Sequence, residues 1–173
     1  MTIDALRRRR PEVLDDLLHR YGGEIQGVAY LILRDRAATE DVLADTLLTA
    51  LDRGDRLRDP AALRSWLLRI AANKALDVRR SSGRVVHLHV LPDREGPRPR
   101  LDDRIALLGA VERLAPRMRA AVVLRYYADL SVRDVADALG TSENTVKSQL
   151  RVALVQMRET LGEADIYLED RHG

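Results

Sequence analysis

The sequence predicts an all-α fold: two small helical domains joined by a flexible linker. Three observations carry that prediction. Apolar residues recur at three- and four-residue spacing through most of the chain, and no segment demands a β-sheet. Residues 81–100 interrupt this pattern with Pro92, Pro97, Pro99, Gly83 and Gly96, the composition of an interdomain linker. Beyond them, Ser131 and Asp134 form a capping box, Val132, Val135, Ala136 and Leu139 share one helical face, and Gly140 stands where a left-handed residue ends a helix. Ser142 then caps a second helix whose inner stripe is Val146, Leu150, Ala153, Met157 and Leu161.

Taken in order, Pro11 suits a helix start, and Val13, Leu14, Leu17, Leu18 and Tyr21 follow at helical spacing. Gly22-Gly23 is expected to break or kink the chain before a second apolar segment with Ile25, Val28, Ala29, Ile32 and Leu33. Asp35 can cap the next helix, whose stripe is Val42, Leu43, Thr46, Leu47, Ala50 and Leu51. A polar loop at 53–56 leads to Asp59-Pro60, which opens a helix that turns Leu63, Trp66, Leu67, Ile70 and Ala71 inward. After the linker, 101–114 is helical, and Pro116 starts a helix running to about Tyr127. Residues 163–173 read as a short tail. The expected division is therefore 1–80, linker 81–100, 101–162 and the tail.

Composition bounds the chemistry. The chain has 173 residues, no cysteine and no phenylalanine. Disulfides, thiolate metal sites and cysteine nucleophiles are excluded, and the usage fits a reducing cytoplasm. No apolar run approaches the ~20 residues of a membrane span, and no hydrophobic stretch follows Arg7 to Arg10 as a secretory signal requires. His87 and His89 stand at alternate positions with no third ligand nearby, so no metal or other cofactor is expected. Net charge is only +2, and Lys74 and Lys147 are the only lysines.

Two helices joined by a glycine turn, the first short, make a helix-turn-helix, whose second helix enters the DNA major groove with its N-terminal part. Here that part is Glu143, Asn144, Thr145, Lys147, Ser148 and Arg151. A plain helical hairpin in an all-α core has the same pattern. Earlier in the chain, the helix end holding Asn73, Lys74, Asp77, Arg79 and Arg80 is basic. Its cations can neutralise phosphates and Asn73 can bond base edges. Cations also stabilise any helix C-terminus.

The chain as a whole resembles the extracytoplasmic-function sigma factors of the sigma-70 family. Residues 38–42 (Ala-Thr-Glu-Asp-Val), 58–71 and Asn73, Ala75, Leu76 and Asp77 are similar to region 2. Residues 114–119, Leu124-Arg125-Tyr126, Leu130-Ser131, Val135-Ala136 and 145–148 (Thr-Val-Lys-Ser) are similar to region 4. No one of these motifs decides the matter, but their order and spacing are specific.

The resemblance implies a factor without a catalytic site that binds core RNA polymerase and directs it to promoters. Region 2 would read and melt the minus-ten element, and region 4 would dock on the minus-thirty-five element. Glu40, Asp41, Ala44 and Asp45 would meet the clamp helices of the largest polymerase subunit, and the flap of the second largest would be a further contact. The loop 52–58, with Arg53 and Arg56, would hold a flipped-out promoter base. That loop has no aromatic residue, so a polar pocket is expected, and Trp66 is assigned to the core. Arg117, Arg119 and Arg125 would assist DNA binding by region 4.

Gln149, Val152 and Leu154 stand where family members are often basic, and Val152 and Val155 point outward. They suit a partner surface such as one covered by an anti-sigma factor. Two other readings compete with promoter-directed initiation. An ordinary helix-turn-helix regulator would need a sensor or receiver domain, which the first half does not resemble. A sigma-like interaction protein would bind polymerase or an anti-sigma factor without activating a promoter.

Overall fold

A computed structural model describes residues 2–82 and 101–162. The first half holds α1 (Thr2–Arg7), α2 (Val13–Leu33), α3 (Arg36–Arg53) and α4 (Leu63–Ser82), with single 3-10 turns at Gly54–Arg56 and Pro60–Ala62. The second holds α5 (Leu101–Arg113), α6 (Pro116–Val122), α7 (Val132–Leu139) and α8 (Glu143–Leu161). Among the described residues every regular element is helical.

Helix starts follow the capping logic of the sequence. The Asp35 carboxylate accepts from the Ala38 N–H at 3.0 Å, and Asp59 accepts from Ala61 at 2.9 Å. Such caps contribute about 1 kcal/mol each by satisfying amides that have no partner within the helix.

The expected break at Gly22-Gly23 does not occur, and α2 runs unbroken through both glycines. Two interior glycines cost about 1 kcal/mol each relative to alanine. Leu17, Ile25, Val28 and Ile32, however, are fully buried around them. Each such side chain contributes roughly 1.5–3 kcal/mol, so packing overrides propensity.

Three other elements differ from expectation. Helix α1 was not foreseen; it buries Leu6, and its Arg7 guanidinium donates to the carbonyls of Leu57 and Arg58 at 3.0 and 2.9 Å. Helix α4 continues through Ser81 and Ser82, so the expected linker begins later, and 83–100 lies outside the described residues. Helix α6 widens after Val122 into a π turn, Val123–Tyr127, closed by Ala128 N–H to Val123 O at 3.0 Å.

The two halves pack together. Helix α4 lies against α6 and α7, and α2 lies against α5, α6 and the π turn. Buried apolar residues from both halves form one contiguous core. Gly27 shows how close the approach is: a methyl there would fall 2.7 Å from Tyr127 Cε1 and nearer still to its hydroxyl.

Candidate nucleic-acid interface

Helices α7 and α8 form the helix-turn-helix. Ser131 Oγ accepts from the Asp134 N–H at 3.1 Å, the N-cap bond, and its hydroxyl donates to the Asp134 carboxylate at 2.6 Å. Gly140 takes φ 61°, ψ 46°, the left-handed conformation in which a Cβ is costly, so the chain turns there. Ser142 then accepts from the Thr145 N–H at 3.1 Å and starts α8. Val146, Leu150, Ala153 and Met157 are buried beneath α8. That leaves Glu143, Asn144, Thr145, Lys147, Ser148 and Arg151 together on its outer face. Lys147 and Arg151 are one turn apart and project to the same side.

In the first half a cavity of about 480 Å³ lies between α3, the 54–56 turn and α4. Its wall includes Arg53, Arg56, Arg69, Asn73, Lys74 and Asp77, with Thr49, Ile70 and Trp66. Trp66 is half-buried: it packs on the core and also lines this cavity. Its assignment to the core holds, and the same side chain also gives the cavity an aromatic wall. The loop itself lacks an aromatic residue; α4 supplies one across the cavity. The signal was present, because Trp66, Arg69, Ile70, Asn73, Lys74 and Asp77 form one stripe at helical spacing. An aromatic plate ringed by cations suits an unstacked base and its phosphates.

On α3, Glu40, Asp41, Ala44 and Asp45 are all exposed on one face. That face ends in Leu48, 57% exposed, which sequence reasoning passed over. Leu47, by contrast, is buried. The Asp45 carboxylate is 3.5 Å from Lys74 Nζ, so a residue of the acidic face is paired to one of the cavity. Glu40 pairs with Arg36 at 3.7 Å on the exposed surface.

Several expected DNA contacts are engaged elsewhere. Arg119 is fully buried and donates to the carbonyls of Ile32 at 3.0 Å, Leu114 at 3.4 Å and Glu112. It cannot reach DNA in this arrangement; it is a cation bonded inside the core. Burial pushes its pKa down from the ordinary guanidinium range to about 10; Arg79 adds to the shift, Glu112 opposes it and Arg34 adds to it. Arg117 donates to Leu139 O at 2.6 Å, satisfying the last turn of α7. Arg125 donates to Leu130 O at 3.2 Å. Arg79 donates to Ile32 O at 3.3 Å, and Arg80 pairs with Asp77. Asn73 donates to Ala138 O at 3.0 Å across the seam between the halves.

A family model described as Sigma-70 region 2 matches residues 17–85, and one described as Sigma-70, region 4 matches residues 104–157. The ECF RNA polymerase sigma factor SigM of Mycobacterium tuberculosis is 32% identical over 153 residues, covering 86% of this chain and 76% of that protein. The chain belongs to the extracytoplasmic-function sigma factors of the sigma-70 family.

The RNA polymerase sigma-E factor of Streptomyces avermitilis is 31% identical over 142 residues, covering 78% of this chain and 77% of its own. Two solved structures share this fold at 22% identity. The sigma factor RpoE, solved with the anti-sigma factor NepR from Bartonella quintana, superposes with a TM-score of 0.72 over 87% of this chain and 97% of its own. CnrH, solved with the cytosolic domain of CnrY, gives 0.69 over 92% and 94%. As a sigma factor, the chain serves the initiation of transcription. In this sigma factor the cavity falls within the region-2 match and the helix-turn-helix within the region-4 match. Among the described residues no helix is long and apolar enough to cross a membrane, and no group of His, Asp and Glu is placed to hold a metal ion. His87 and His89 lie outside the described residues.

Proposed function

We propose that this sigma factor binds core RNA polymerase through the α3 face, captures a melted minus-ten strand in the α4 cavity, and docks α8 on the upstream promoter element. The observation that carries this reading is the cavity, where Trp66 stands beside Arg53, Arg56, Arg69 and Lys74. Aromatic stacking with surrounding cations serves single strands and adds nothing to a plain structural domain. On the α3 face, exposed Leu48 offers an apolar anchor beside Glu40 and Asp41, a combination suited to a basic, partly apolar helical partner. The factor works in the cytoplasm and has no catalytic site, because polymerisation belongs to the core enzyme.

The closed arrangement sets a condition on this function. Asn73 already spends one amide N–H on Ala138 across the seam, so full access of its amide to a base edge calls for α4 and α7 to part. The proposed division keeps region 4 at 101–162 and carries region 2 to Ser82, where α4 ends, rather than to residue 80.

A second reading concerns a protein partner. Val152 and Val155 are 43% and 47% exposed on the outer face of α8. An anti-sigma factor covering that face would bury both valines and mask Arg151 at once.

Run-off transcription with core polymerase and a promoter library tests the main reading. Transcripts from a defined promoter class are expected, and Trp66→Ala should remove them while Trp66→Phe retains most. Polymerase binding without any transcript would leave the interaction-protein reading in its place.

A further inference from the structure

Three guanidinium groups meet at the end of α2, and one carboxylate faces them. The Ile32 carbonyl accepts from Arg119 Nη1 at 3.0 Å and from Arg79 Nη1 at 3.3 Å. Two residues on, Arg34 is only 2% exposed, and Nε, Nη1 and Nη2 all lack a hydrogen-bond partner. Its nearest countercharge is Glu112 Oε2, 3.9 Å from Nε, too far for a hydrogen bond. The Tyr30 ring lies 4.9 Å from the guanidinium carbon and offers a π face but no lone pair for the N–H groups.

Arg34 is also held at φ 58°, ψ 29°, a left-handed conformation unusual for a side chain branching from Cα. Strain, burial and unmet donors at one residue mark a site rather than a packing solution. Buried cations are normally paired, because leaving one uncompensated in the interior is costly. The pKa of Arg119 is lowered first by burial and then by the neighbouring Arg79 and Arg34, with Glu112 opposing. Two members of the cluster reach solvent: Arg79 is half-buried and the Glu112 side chain is 25% exposed.

We propose that this seam is an oxyanion site: a tetrahedral anion of the phosphate class bonds the Arg34 guanidinium, with Arg79 and Arg119 alongside, once the Glu112 carboxylate swings to solvent. The planar guanidinium fork matches adjacent phosphate oxygens, and three cations at low dielectric supply the charge. The groups come from both halves: Arg34 and Arg79 from the first, Glu112 and Arg119 from the second. An anion seated there binds the closed form alone and stabilises it by mass action. It would therefore oppose promoter reading, a consequence that rests on the proposed function; the site itself does not.

The test uses the full chain titrated with inorganic phosphate against chloride at constant ionic strength, read by thermal unfolding and small-angle scattering. The wild type should show a saturable rise in Tm with a compact scattering profile. Arg34→Gly suits the left-handed backbone and keeps the fold while removing the guanidinium; it should lose the saturable rise. Glu112→Gln removes the competing carboxylate and should saturate at several-fold lower phosphate. A parallel titration with adenosine triphosphate distinguishes free phosphate from a nucleotide: tighter saturation assigns the site to nucleotides, and equal saturation assigns it to the oxyanion alone. An Arg34→Gly response equal to wild type, weaker binding in Glu112→Gln, or no saturation in the wild type would overturn the site. Failure of promoter activity with the phosphate response intact would count against the proposed function only.

Discussion

Asn73 donates its side-chain amide to the main-chain oxygen of Ala138 at 3.0 Å, tying the α4 cavity of one half to the first helix of the helix-turn-helix in the other. Arg64 reinforces the tie, reaching Ala128 O at 2.6 Å while paired with Glu24 at 2.7 Å. Asn73, proposed above to bond a promoter base, is therefore also one of the residues that close the molecule.

That closure is tested at Gly27. An alanine methyl there occupies the space of the Tyr127 ring, which must leave the seam. Overpacking of this kind costs about 1–3 kcal/mol. Gly27→Ala should lower the melting temperature and increase the radius of gyration in small-angle scattering. Wild-type scattering together with wild-type stability would show that the seam tolerates the methyl and does not control opening.

On α8, Lys147 and Arg151 stand on the exposed face with few other cations near them. Lys147→Ala should weaken holoenzyme binding to upstream elements evenly across sequences and reduce the salt slope by about 1. Arg151→Ala should cost roughly 1–3 kcal/mol and relax preference at one base pair. The measurement is promoter affinity across a salt series with matched and base-substituted elements. Unaltered affinity and slope in both variants would remove α8 as the DNA reader.

Polymerase association is best probed with Asp41 and Leu48. Asp45 is a poorer choice, because its charge reversal would also set a lysine against Lys74. The double variant Asp41→Lys, Leu48→Ser leaves buried Val42 and Leu47 untouched, so helicity should persist. Core affinity should fall by about 2 kcal/mol or more if Leu48 is a central anchor. Undiminished association in a pull-down or by surface resonance would place the interface elsewhere.

Arg119 and Arg117 should separate a core role from a DNA role. Arg119→Ala removes a donor from the carbonyls of Glu112 and Leu114, leaves that of Ile32 to Arg79 alone, and should destabilise the chain by about 3 kcal/mol. Arg117→Ala removes one exposed-side cap and should cost about 1 kcal/mol. The Arg119 pKa is lowered in the folded state to about 10, so between there and the ordinary guanidinium range the unfolded chain binds more protons. Stability contributed by this group therefore rises with pH in that window and is flat below it. Denaturant unfolding of wild type and Arg119→Met should run parallel from about pH 6 to pH 9. The wild type should gain relative to the variant only at higher pH, and divergence near neutrality would contradict the assignment.

Much of the fold was legible from the chain alone, and the reason is local. Ser131, Asp134, Gly140 and Ser142 act through hydrogen bonds and backbone angles within a few residues, so the helix-turn-helix and the outward face of Lys147 and Arg151 follow from spacing. The same holds for the caps at Asp35 and Asp59 and for the exposed acids of α3. Tertiary structure decided whatever depended on residues far apart in sequence. Burial of Leu17, Ile25, Val28 and Ile32 carried α2 through Gly22-Gly23, because solvent exclusion outweighs the local cost of glycine. Packing of α3 against α4 placed Trp66 on a cavity wall. Closure of the two halves turned Arg119 inward, occupied Asn73 and left the Arg34 guanidinium buried without a hydrogen-bond partner. Charge and periodicity identify which residues are basic or apolar; only the folded chain decides which carbonyl or cavity each one meets.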